Sequence, residues 1–122
     1  MANDFKRFTS ASLGTTTGAS ATAVYTVPSS SSTAMESIVI GITIANKSTS
    51  GITCDVFLDA LGGASDDVYI VKDANIPAGS SLEVMSGNKL VLQGDGTNND
   101  ILKMTSSAAS AADGIVSVLE DV

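Results

Sequence analysis

Ile38-Val39-Ile40-Gly41-Ile42-Thr43-Ile44 is the stretch that decides the fold. Its isoleucines recur at every second position, with Val39, Gly41 and Thr43 between them. A strand turns successive side chains to opposite faces, so this spacing predicts Ile38, Ile40, Ile42 and Ile44 together on a buried face. β-Branched side chains lose rotamer freedom in a helix and suit a pleated surface. Gly41, with no side chain, marks a place for a bulge or a close neighbour.

The same pattern extends in both directions. Upstream, Ala23-Val24-Tyr25-Thr26-Val27 reads as a strand ended by Pro28 and a serine run. Downstream, residues 46–51 (NKSTSG) form a turn cluster before a second alternating run. There Ile52, Cys54, Val56 and Leu58 point inward; Thr53, Asp55 and Asp59 point outward, and Phe57 shares that outer face, placed to reach the arm or a partner. Two long runs joined by six turn-type residues predict a hairpin. Residues 68–72, 81–85, 89–93, 101–105 and 115–119 supply further short apolar runs. Pro77 suits position i+1 of a turn closed by Gly79. The Ala-rich 106–113 reads as one helical turn or a tight loop. About eight strands at this spacing predict an all-β antiparallel sandwich, Ig-like or jelly-roll-like. Leu82, Val84, Leu90, Leu92, Leu102, Met104 and the 115–119 run complete the expected core.

Composition removes whole classes of function. Thirteen acidic against six basic residues leave a net charge of −7, which repels nucleic acid. The absence of His removes histidine-based triads and most zinc sites. The one cysteine cannot make an internal disulfide, and Cys54, inward on its strand beside Asp55, reads as an inert core thiol. No apolar run approaches the roughly 18 residues of a membrane span. Met1 to Arg7 lacks the apolar core of a signal peptide. The expectation is a non-enzymatic chain made in the cytoplasm, without cofactor, bound metal, nucleic-acid partner or membrane partner.

The candidate chemistry is thin. Asp95, Thr97 and Asn99 fall at alternating ligand positions of a calcium loop, but Asp100 stands where glycine is required and Ser106 where glutamate is. Gly87-Asn88-Lys89 precedes a strand rather than a helix, so it is no phosphate loop. Asn46-Lys47-Ser48 fits a glycosylation sequon and reads as a turn. Asp66 with Glu83 as a glycosidase pair has nothing in the sequence to support it.

Residues 1–22 differ from the rest. Residues 9–22 hold Leu13 as their only large apolar side chain, and the segment carries +1 against −8 for 23–122. Phe5, Lys6, Arg7 and Phe8 are the candidate interaction residues of an extended N-terminal arm preceding a sandwich domain at 23–122. Such a segment is either a frayed terminus or an arm that docks on its own acidic body or on a neighbour's. The expectation is a neighbouring subunit, anchored by both aromatic rings and oriented by charge. Eighteen Ser and twelve Thr suit close packing of many copies, so a homo-oligomer is expected.

Several stretches point further. They are Tyr25-Thr26-Val27-Pro28, Ile44-Ala45-Asn46-Lys47, Lys89-Leu90-Val91-Leu92, and residues 69–82, with Ile76-Pro77-Ala78-Gly79-Ser80-Ser81-Leu82 the most specific part. Residues 106–113 leading into Ser117-Val118-Leu119-Glu120 complete the set. Over 23–122 the chain resembles small virion structural proteins of tailed bacteriophages, especially marine phages of cyanobacteria. Asn75 stands where that family's phrase has its first proline. The resemblance implies a β-sandwich particle component: a capsid decoration subunit or a neck, tail or baseplate adaptor. Its partners would be other virion structural proteins, and it carries no catalytic set. The alternative is a host-facing adhesin-like or carbohydrate-binding sandwich, with Tyr69 or residues 94–100 at the ligand.

Overall fold

A computed structural model describes residues 3–16, 21–28, 35–60, 67–85, 89–94 and 98–121. Among these, the regular elements are nine strands: β1 (Asn3–Ser10), β2 (Thr22–Thr26), β3 (Met35–Asn46), β4 (Ile52–Asp59), β5 (Asp67–Ile76), β6 (Ser81–Glu83), β7 (Leu90–Gly94), β8 (Ile101–Ser106) and β9 (Ala112–Asp121). Sheet A runs β1-β9-β3, with β6 and β7 both beyond β3; sheet B runs β2-β8-β4-β5. All the pairings are antiparallel. The fold is the expected all-β antiparallel sandwich.

β6 pairs with Thr43–Ala45 and β7 with Met35–Val39, so the two short strands share one lane beside β3. That makes eight lanes in all. Their pairing is nested: β1 with β9, β2 with β8, β3 with β6 and β7, β4 with β5. Nesting of this kind is a hairpin folded over on itself, the jelly-roll path. An Ig sandwich would instead pair the first strand with the second.

The core fills the space between the sheets with Val39, Ile42, Ile44, Ile52, Cys54, Val56, Leu92, Leu102, Met104, Val116 and Val118. Leu82, Val84 and Leu90 pack partly buried against it. Cys54 is buried, and burial first, then the Asp55 charge, push its thiol up to about 11, in line with an inert role. Asn46 is buried too: its Nδ2 donates to the Ser50 and Ile76 carbonyls, so the sequon asparagine is spent on holding a turn.

The structure corrects five details of the reading. A bulge separates Val39 from Gly41, so the isoleucines do not share one face. Val39, Ile42 and Ile44 point inward, while Ile40 is exposed and Ile38 half-buried on the outer side. An extra residue shifts the period by one and turns every later side chain over. Second, β3 and β4 lie in different sheets; residues 47–51 arch between layers rather than close a hairpin. Third, Ser80 N donates to the Pro77 carbonyl and Gly79 has φ 70°, which places Pro77 at position i of the turn. Fourth, on β9 the inward residues are Val116 and Val118, with Ile115 exposed and Leu119 half-buried. Fifth, Phe57 lies on the outer side of β4 as read, yet is fully buried, its ring 5.1 Å from that of Tyr69. It is therefore not free to reach the arm or a partner. Of residues 106–113, Ser106 ends β8, 107–111 form a tight loop with Ser110 at φ 58°, and 112–113 begin β9.

Candidate assembly surface

The arm residues are where the alternation of a strand puts them. β1 pairs along its whole length with β9, with Phe5 opposite Leu119, Lys6 opposite Val118, Arg7 opposite Ser117 and Phe8 opposite Val116. Of the two berths open to the arm, the structure shows the chain's own body. Leu13 extends the docking: it is buried in the core, and its N–H donates to the Ala112 carbonyl. Residues 3–10 are thus the edge strand of sheet A, continuous with the layer formed by residues beyond 22.

Lys6 and Phe8 share the inward side with Val116 and Val118. The Phe8 ring lies 4.7 Å from that of Tyr25, which reaches across from β2. Lys6 Nζ lies 2.8 Å from Glu120 Oε1, and the Tyr25 hydroxyl donates to Glu120 Oε2 at 2.6 Å. The same hydroxyl lies 2.7 Å from Ser37 Oγ. Glu120 is only 1% exposed. Burial alone, the largest single influence, would raise its pKa; Lys6 and Tyr25 outweigh it and hold the carboxyl below its ordinary value. The charge contact expected between arm and acidic body is therefore made within the chain. Of the four candidate arm residues, Phe5 and Arg7 project outward.

Phe5 is 77% exposed. It starts a row that the register continues across the sheet: Phe5 opposite Leu119, Leu119 opposite Ile38, Ile38 opposite Val91. Val91 is 56% exposed and the bulged Ile40, just along from Ile38, is 42% exposed. A shallow depression lined by Phe5, Arg7, Ile40 and Ser117 lies beside the row. Ile115 adds an exposed apolar side chain farther along β9. The apolar row thus spans all four lanes of sheet A on its outer face. Arg7 flanks it on β1, and Glu83, opposite Thr43, lies toward the other edge. An apolar strip exposed at Phe5, Ile40 and Val91 and half-buried at Ile38 and Leu119, with a charged rim, is the chemistry of a protein contact.

Reading the arm alone found Phe5 and Arg7 but missed Ile40, Val91, Ile115 and Leu119. A signal for them was present. Leu90-Val91-Leu92 and Ile115-Val116 put apolar residues on both parities, and a strand apolar on both faces is one with both faces to cover.

Other candidate features carry less. The Tyr69 ring packs against Phe57, and Lys72 Nζ lies 5.0 Å from its centroid, so a sugar stacking there would compete with Lys72. Lys103 Nζ and Asp59 Oδ2 form a buried ion pair of 3.2 Å on the outer side of sheet B. Asp100 accepts from the Gln93 N–H and fastens β7, a structural use of a residue read beside the calcium pattern. Asp66 and residues 95–97 lie outside the described residues. No helix among the described residues is long and apolar enough to cross a membrane. No family model, curated protein or solved structure matches the chain.

Proposed function

We propose that the chain is a non-enzymatic structural subunit of a tailed-phage virion, made in the host cytoplasm and built into the particle. It acts as a capsid decoration subunit or as a neck, tail or baseplate adaptor. The observation that carries this reading is the outer face of sheet A, where Phe5, Ile38, Leu119 and Val91 form one apolar row across every lane. A jelly roll is among the architectures of viral capsid domains, which is compatible with the reading but does not select it. The resemblance of 23–122 to small virion proteins supplies the particle. The partners are copies of the chain and other virion structural proteins.

The test is the whereabouts of the polypeptide. Purified particles from a producing host should contain it at stoichiometric abundance by mass spectrometry, and an antibody label should decorate a fixed position in electron micrographs. A polypeptide that stays in the lysate while particles form normally without it would refute the reading.

A further inference from the structure

Resting on that reading, we infer that the outer face of sheet A is occupied by the same face of a second copy, the two copies related by a two-fold axis parallel to the strands. A two-fold contact needs a surface complementary to itself. An axis passing between β9 and β3 exchanges the outer lanes with each other and the inner lanes with each other. Phe5 then faces Val91 of the second copy, and Leu119 faces Ile38. Every member of the row meets an apolar partner, and each pairing occurs twice. The exposed Val91 of one copy comes down beside the depression that Phe5 and Ile40 border on the other.

One rim of the face carries a favourable charge contact, while at the other end Glu36 of each copy comes over the β9 register position of Asp121 of the other. Two copies at −7 each repel over most of their surface. Arg7 lies in the β1 lane, one pair beyond Phe5; Glu83 lies in the opposite outer lane, one pair beyond that. The axis brings Arg7 of each copy toward Glu83 of the other. Area is sufficient: four lanes about 4.8 Å apart and about eight residues long at ~3.3 Å each give roughly 500 Å² of flat face, so the pair covers on the order of 1,000 Å², the lower bound for a specific interface. Two such faces would pack as sheets do, about 10 Å apart with strands nearly aligned.

The experiment uses the isolated full chain in sedimentation and light scattering over a concentration series. The wild type should approach twice 12.2 kDa. Phe5→Lys and Val91→Glu, both at exposed positions, should each give a folded monomer. Mixing the two variants in equal amounts should restore the dimer with one copy of each, because the two new charges then face one another. Val68→Glu, an exposed position on sheet B, should leave the dimer intact. A wild-type monomer throughout, or a dimer indifferent to Phe5→Lys and Val91→Glu, would overturn the inference. So would variants that remain monomers when mixed. These outcomes are separate from particle location. A solution monomer found in particles removes the two-fold pair and leaves the virion reading; a dimer missing from particles does the reverse.

Discussion

Gly114 faces inward on β9, and a Cβ there would come 2.6 Å from Met104 Sδ and 3.7 Å from Leu13 Cδ2. Met104 is fully buried, so its thioether can yield only by displacing other core atoms. Gly114→Ala should cost about 1–3 kcal/mol in urea denaturation, the usual range for overpacking. Gly41 is the contrasting case: nothing lies within 4 Å of its added Cβ, and its φ is not in the left-handed range. Gly41→Ala should be neutral or stabilise by roughly 0.5–1 kcal/mol, because it restricts the unfolded chain. The opposite ranking would show that the bulge, not the core, is the tight spot. Tyr25→Phe removes the hydroxyl shared by Glu120 and Ser37, leaving a buried carboxylate one donor short. Its expected cost is about 1.5–3 kcal/mol by the same measurement. The inert Cys54 and buried Leu92 could be read from the strand pattern. Glu120 could not, because Tyr25 lies 95 positions away in sequence and no local signal announces the pairing.

The strand β1 is held by an ion pair whose two halves titrate at opposite ends of the pH scale. Glu120 has its carboxyl lowered in the folded state, so its contribution is present above its ordinary value of 4.5 and lost as pH falls through the lower folded value. Lys6 has its ammonium raised, chiefly by the hydrogen bond and charge of Glu120. Its contribution is present below 10.5 and lost as pH rises through the higher folded value. Amide exchange in β1, corrected for intrinsic rates, should therefore be flat between these limits and rise outside them, earlier than in the central strand β4. In Glu120→Gln the acid rise specific to β1 should vanish; its persistence there would mean that another carboxyl secures the strand. Deleting residues 1–22 should lower stability as well as remove Phe5, since it takes away Leu13 and bares one edge of β9. Strands such as β3, β4 and β8 were legible because one apolar face repeats at period two. Their sheet membership was not: six polar residues serve equally as a hairpin turn or as an arch between layers. The bulge at Gly41 was readable as a possibility, but the reversal of faces it causes was not carried through to Ile40.

At the scale of the molecule, the alternation predicted two layers but could not choose between jelly roll and Ig. That choice lies in pairings such as β1 with β9, which join the first and last strands. Asn3 is the Cα partner of Asp121, so the first and last described residues lie side by side across an antiparallel ladder. Such contacts close a loop of nearly the full chain length, and topologies rich in them fold slowly. A circular permutant tests how far this closure limits folding. A short glycine-serine linker would join residue 122 to residue 1 and turn β9 and β1 into a local hairpin. New termini would fall between Ala78 and Gly79, in an exposed turn closed by the Ser80 N–H to Pro77 bond and tied to β3 by the Asn46 N–H to Ser80 bond. Opening there leaves both sheets uncut, which favours tolerance. The permutant should keep the β-type circular dichroism of the parent and refold faster in stopped-flow measurements at matched stability. An unchanged refolding rate would mean that β1 joins β9 only after the rate-limiting step. In that case the nucleus lies among the shorter-range pairs, β4 with β5 and β3 with β7, and the arm is the last lane to close. A chain whose first strand docks last would leave the β9 edge and the Phe5 strand unpaired until the end of folding. The refolding rate therefore bears directly on whether β1 closes early or late in folding.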